Sequence, residues 1–166
     1  MANHFSKVSF TQYYSDVTNQ PLDSGPYADA IRREYDNIML PVRATPGSAG
    51  YDFFAPVNFC LNPQVPVKVF TGIHAEIQPG HFLMIVPRSS LGFKYGVRLV
   101  NTVGIIDSDY INAENEGHII IKLISTQPIA IHAGERFAQG IFLPYGLTAD
   151  DAPGEARVGG VGSTGK

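Results

Sequence analysis

At 166 residues, with 44% hydrophobic and 16% charged side chains, the chain is long enough to bury roughly two thirds of its unfolded surface in one domain, which excludes wholesale disorder. A formal net charge of -3 gives no general drive toward nucleic acid or an anionic membrane, although a small anion can still be held locally. A single cysteine, Cys60, excludes an intrachain disulfide and reads as an apolar filler; with neither a signal peptide nor a membrane-spanning run expected, a cytoplasmic setting fits.

Residues 1–36 differ from the rest of the chain, being polar and aromatic up to Gln20 and then turn-rich through Pro21-Leu22-Asp23-Ser24-Gly25-Pro26. One short helix is predicted over residues 27–37, because Tyr27, Ile31 and Tyr35 recur at helical spacing and Asp23 or Ser24 stands near its start. No second helix is expected. From Ile38 onward, short apolar runs separated by Gly, Pro and Asn predict an all-β barrel or sandwich. Val67, Val69, Thr71, Ile73, Ala75 and Ile77 alternate along a strand, and Pro79-Gly80 turns it into Phe82-Leu83-Met84-Ile85-Val86 as a hairpin. Further strands are predicted over 96–103, 119–124, 129–131 and 141–143. The chain thus divides into an extension (1–36), a β-barrel (37–150) and a flexible, glycine-rich tail (151–166).

Five segments combine glycine with polar groups where a plain strand would place neither. Ala49-Gly50-Tyr51-Asp52 sets a carboxylate beside a turn, and by itself reads most simply as a turn-stabilising aspartate. Pro87-Arg88-Ser89-Ser90-Leu91-Gly92 follows a buried strand, and its guanidinium fork, hydroxyls and backbone N–H groups can surround anionic oxygens; a capped turn with a surface arginine explains it equally well. Asn101-Thr102-Val103-Gly104-Ile105-Ile106-Asp107-Ser108-Asp109-Tyr110 is the most informative. If it is extended, Asp107 and Asp109 share a face, and either is a candidate general base or metal ligand. Gly134-Glu135-Arg136-Phe137-Ala138-Gln139 opens on a turn glycine and continues as an ordinary strand.

The terminal stretch of residues 157–166 spells both G-x-G-x-x-G and the start of a P-loop, yet no helix follows either, so both folds are rejected. What survives is a Gly-Ser-Thr-Lys segment able to fold over a polyphosphate. His4, His74, His81, His118 and His132 lack the spacing of a zinc site, and the acidic segments suit Mg²⁺ instead.

Taken in order, Ala49-Gly50-Tyr51-Asp52, Pro87-Arg88-Ser89-Ser90-Leu91-Gly92, Gly104-Ile105-Ile106-Asp107-Ser108-Asp109-Tyr110, Gly134-Glu135-Arg136-Phe137-Ala138-Gln139 and Gly159-Gly160-Val161-Gly162-Ser163-Thr164-Gly165 resemble the five motifs of trimeric dUTPases, of bacterial or phage type. The resemblance implies a β-barrel or jelly-roll subunit, a homotrimer with shared active sites, and Mg²⁺-assisted hydrolysis of dUTP to dUMP and pyrophosphate. It implies that Asp107 activates the attacking water, that Asn101 and the backbone at Gly104 read uracil, and that Tyr110 packs on deoxyribose. Arg88, Ser89, Ser90 and Gln139 match phosphate-contacting positions, and Asp52 a carboxylate holding a water of the metal shell. The tail residues Arg157, Val161, Gly162, Ser163 and Thr164 would close over the substrate.

Three departures stand out. Val161 occupies the place of the usual stacking aromatic, and Arg157 lies one residue later than the usual tail arginine. Residues 111–117 form an insertion after the central motif, and residues 1–36 have no assigned counterpart. A dCTP deaminase would share the fold but needs a glutamate base where Asp107 stands; a catalytically silent regulator would have no use for Asp107.

Overall fold

The computed structural model describes residues 2–152. The elements in order are β1 (His4–Lys7), α1 (Phe10–Thr18), α2 (Pro26–Asp36), β2 (Val42–Arg43), β3 (Tyr51–Phe54), β4 (Phe59–Leu61), β5 (Val67–Phe70), β6 (Ile73–Glu76), β7 (His81–Pro87), α3 (Ser89–Tyr95), β8 (Arg98–Leu99), β9 (Gly104–Ile106), a 3-10 turn (Tyr110–Asn112), β10 (Ile120–Ile124), β11 (Ile129–Ile131) and β12 (Arg136–Pro144). All strand pairings are antiparallel: a five-stranded sheet β2-β3-β12-β7-β9, a three-stranded sheet β5-β10-β8, and the pairs β1-β6 and β4-β11. Their inner faces share one core containing Phe53, Leu61, Leu83, Ile85, Leu123 and Phe137, each no more than 1% exposed. This is the expected β-rich, jelly-roll-like body.

Three predicted features need correction. The expectation of a single helix fails, since α1 and α3 are helices as well. In α1, Phe10, Tyr13 and Tyr14 make one buried face; Ser9 caps the start by accepting from the Gln12 amide at 3.1 Å, and Asn19 ends it in the left-handed region. In α2 the helix begins at Pro26, where a proline fits the first turn, with Gly25 rather than Asp23 or Ser24 as its cap. Asp23 instead accepts from the Tyr14 hydroxyl at 2.7 Å, and the buried face is Ala28 and Ile31, leaving Tyr27 62% exposed. The stretch 96–103 contributes only two residues to β8, because α3 runs to Tyr95 and is closed by Gly96 in the left-handed region.

The predicted hairpin about Pro79-Gly80 does not form. Strand β7 pairs with β12 and β9, while β6 pairs with β1. The alternation that suggested one long strand is broken at Gly72, whose φ of +70 lets the chain turn from the β5 pairing with β10 into the β6 pairing with β1. Within the break, the buried Thr71 hydroxyl donates to the Ile119 carbonyl at 2.7 Å.

The extension is built into this body. β1 adds a strand to β6, and Phe5 packs among Tyr51, Phe53 and Phe142. Helices α1 and α2 join through Arg32, whose guanidinium lies 3.5 Å from the centre of the Phe10 ring.

Gly72→Ala is expected to destabilise the fold by about 2 kcal/mol or more, since a side chain there adopts a left-handed backbone and collides with Ile38 while crowding Tyr13. Urea unfolding of the variant checks this; an unchanged midpoint would show that the break tolerates a side chain.

Candidate active site

Register across three neighbouring strands gathers the first group of candidate residues. On β12, Gln139 pairs with Asp52 of β3 on one edge and with Val86 of β7 on the other, and Ala138 pairs with Pro87, so Arg88 leaves the sheet beside them. A cleft of about 550 Å³ results, lined by Gly50, Asp52, Arg88, Ser89, Ser90 and Gln139. A Cβ at Gly50 would collide with Gln139 Oε1, so glycine lets this amide lie against the loop.

Asp52 is only 7% exposed and is held by two arginines: Arg88 Nε lies 3.3 Å from Oδ1, and Arg136 Nη1 lies 3.2 Å from Oδ2. A buried carboxylate needs such partners. Both guanidiniums remain partly open to solvent; Arg88 lines this cleft with Asp52, while Arg136 opens onto a neighbouring one with Ser90 and Glu135. Ser89 and Ser90 open α3, where backbone N–H groups have no intrahelical acceptor. Together these groups can hold several anionic oxygens at once. Sequence reasoning missed Arg136 because its place in the fourth motif reads as the start of a strand; the signal was its adjacency to a turn and its alternation with Phe137, which sends the two side chains to opposite faces.

The second group stands elsewhere. Strands β8 and β9 are joined through Asn101, which is exposed, and Thr102, whose φ of +69 is unusual for a β-branched residue and marks a strained turn. Gly104 is buried against β7, where a Cβ would come within 3.0 Å of the Ile85 Cβ. The extended run ends at Ile106. Asp107 and Asp109 are exposed on the following turn, where the Tyr110 amide donates to the Asp107 carbonyl at 3.1 Å, so the shared strand face does not arise. Ile106 pairs with Leu83, so Asp107 continues toward the His81 end of β7 whereas Arg88 leaves its Pro87 end. At about 3.3 Å per residue, the two stand roughly 20 Å apart in one chain.

Tyr110 is 5% exposed, and its hydroxyl donates to the His118 carbonyl at 3.1 Å. Asn115 Nδ2 donates to the Tyr110 hydroxyl at 3.0 Å. His118 is fully buried and meets Asp16 of α1 at 2.5 Å. Burial raises the Asp16 pKa, but hydrogen bonds from His118 and Gln12 outweigh it and hold the carboxyl below its ordinary range. Sequence reasoning missed Asp16, Glu116 and His118, although Ser9 followed three residues later by Gln12 is the signature of a capped helix start.

Among the described residues no three His, Cys, Asp or Glu side chains come together as a cation cage. Asp52 is the carboxylate that faces the cleft. No helix among the described residues is long and apolar enough to cross a membrane. Arg157, Val161, Gly162, Ser163 and Thr164 lie outside the described residues.

A family model for dUTPase matches residues 36–165. The chain is 40% identical over 134 residues to the deoxyuridine 5'-triphosphate nucleotidohydrolase of Lactococcus lactis subsp. lactis, covering 77% of this chain and 89% of the relative. It is 39% identical over 148 residues to the enzyme of the same name from Bordetella pertussis, covering 83% and 93%. Among solved structures, the dUTPase from Streptococcus mutans superposes with a TM-score of 0.60 at 39% identity, over 68% of this chain and 90% of that one. A dUTPase from phage phi11 of S. aureus, which coordinates a structural Mg(II) ion, superposes with a TM-score of 0.60 at 19% identity over 72% and 92%, a likeness of fold alone.

Asp52→Ala is expected to lower stability by about 1 kcal/mol, because it leaves two guanidiniums without their shared acceptor while water takes over part of that role. Denaturant titration of Asp52→Ala and Arg136→Ala, alone and combined, measures the coupling; strict additivity would mean that the pair does not interact.

Proposed function

The chain belongs to the dUTPase family, and we propose that it hydrolyses dUTP to dUMP and pyrophosphate with Asp107 as the base that activates the attacking water. The observation that carries this reading is the separation along β7 of the anion-binding groups at its Arg88 end from Asp107 at its His81 end, with β9 running between them from Gly104 opposite Ile85 to Ile106 opposite Leu83. Since a water activated by Asp107 must meet a triphosphate held beside Arg88, and the two stand roughly 20 Å apart along one β7, each site draws its phosphate cleft and its base from different chains, which supports a homotrimer with shared active sites.

In this reading Arg88, Ser89, Ser90 and Gln139 hold the phosphates, and Arg136 holds Asp52 in place. Asp52 would hold a water of the shell of a Mg²⁺ ion, which would supply positive charge to offset that of the triphosphate. Asn101 and the backbone at Gly104 read uracil, so that cytosine leaves buried polar groups unpaired. Tyr110 lies against the sugar, leaving no room for a 2′-hydroxyl. Asp107 takes a proton from the water aligned with the α-phosphorus, the new P–O bond forms, and pyrophosphate leaves with the electrons of the bond to the second phosphate. The barrel of residues 37–150 provides both half-sites. The lone cysteine suits a cytoplasmic setting.

Purified protein with Mg²⁺ is expected to release pyrophosphate from dUTP far faster than from dTTP, dCTP or UTP, and to lose most activity when the metal is chelated. Asp107→Asn is expected to lower kcat by about 10²–10⁴-fold with nucleotide binding retained. Ammonia release from dCTP, or full turnover by Asp107→Asn, would overturn the assignment. Shared sites have a separate test: Asp107→Asn and Arg88→Ala chains, each inactive alone, are mixed 1:1 under subunit exchange. About a quarter of the sites should then combine an intact cleft with an intact base. No recovery would mean that both half-sites come from one chain.

A further inference from the structure

The 110–118 turn is fastened from outside the family-matched stretch. Glu116 accepts from both the backbone N–H and the hydroxyl of Ser9, each at 2.7 Å. His74 Nδ1 bonds to the Glu116 carbonyl at 2.8 Å, and its Nε2 meets Ser6 Oγ at 2.7 Å. His118 Nε2 is 2.8 Å from the Gly72 backbone N–H, so it is the acceptor nitrogen; the ring proton then sits on Nδ1 and is donated to Asp16 Oδ2. Both ring nitrogens of a fully buried histidine are thereby committed, and its position along the chain is set by Asp16 and Gly72. The carbonyl of that same residue accepts from Tyr110 and from Asn115 Nδ2. Ser6, Ser9 and Asp16 all precede residue 36, where the family model begins.

We propose that Asp16 is a positioning residue for nucleotide selectivity: through His118 it holds the Tyr110 ring at the depth that admits deoxyribose and excludes ribose. This role rests on the dUTPase reading and on Tyr110 facing the sugar. The Tyr110 hydroxyl donates to the His118 carbonyl and accepts from Asn115, both on this turn, and the C-terminal end of the turn is fixed at two points, by Ser9 on Glu116 and by Asp16 on His118. Releasing the second point lets the 118 carbonyl, and with it the ring, recede. A receding ring opens space where a 2′-hydroxyl would sit and loosens contact with the deoxy sugar. The extension left unassigned by sequence is thus a brace behind the sugar pocket, acting through the protein interior without touching substrate.

The test compares kcat and KM for dUTP and UTP in the full chain, well below each variant's melting temperature. Asp16→Ala is expected to reduce the dUTP/UTP ratio of kcat/KM about tenfold, chiefly by raising KM for dUTP, with kcat little changed. Asp16→Asn keeps an oxygen to accept the His118 proton and is expected to restore most of the ratio. A ratio unchanged in Asp16→Ala, with only a lower melting temperature, would make the contact purely structural and overturn the proposal. Should Asp16→Ala fail to fold, Asp16→Glu, which keeps the carboxylate but displaces it by one methylene, is judged by the same ratio. A parent protein that releases no pyrophosphate from dUTP would instead overturn the reading beneath, and with it this one.

Discussion

Strand β7 is paired along both edges, to β12 on one side and β9 on the other, and those two registers decide where the reactive side chains stand. A slip of β7 by one residue against β12 would carry Arg88 away from Gln139 and Asp52; a slip against β9 would expel Gly104 from its place beside Ile85. The register is pinned by side chains with one acceptable face. Leu83 and Ile85 point into the core, Phe137 and Ala138 are fully buried, and Gly140 fits where a Cβ would crowd Leu83 and Phe53. Chemistry is placed by packing: the polar groups are carried to position by apolar neighbours that cannot move.

Within that frame, the two clusters obey different physics. The Arg88–Asp52–Arg136 cluster is electrostatic, with two cations around one buried anion beside an open cleft. The Tyr110 turn is a hydrogen-bonded lattice in which hydroxyl, carbonyl, amide and imidazole groups meet away from water, anchored by the Glu116 and Asp16 carboxylates. The first suits a ligand that brings its own charge, the second a surface whose shape must not change when a ligand arrives.

Alternating apolar residues made the β body legible, and Ile129–Ile131 appears with the predicted bounds. The residues read as phosphate contacts gather in one cleft because their motif spacing carries the information that strand pairing later uses. Other features were illegible for identifiable reasons. The alternation over 67–77 is genuine on both sides of Gly72, but periodicity is blind to a turn that preserves the buried face while changing the partner strand. Helix α1 lay hidden because its buried face is aromatic and sits in a polar context, so Phe10, Tyr13 and Tyr14 did not register as a stripe. Helix α3 escaped because serines and Gly92 resemble a loop. The bond between Asp16 and His118 spans 102 positions, a separation over which no local pattern gives warning.

Strand β12 lies in the middle of the five-stranded sheet but is the last to be made, with β3 on one flank and β7 on the other. During synthesis those two flanking strands must therefore wait side by side with a gap between them, their inward edges unpaired, until residues 136–144 emerge to fill it. Such non-local closure is slow, and for that interval Phe53, Leu83 and Ile85 have no lid. The burden of the fold in the cell thus falls on its newest residues: a chain truncated before Arg136 would present an open cleft between two sticky edges, a ready template for aggregation.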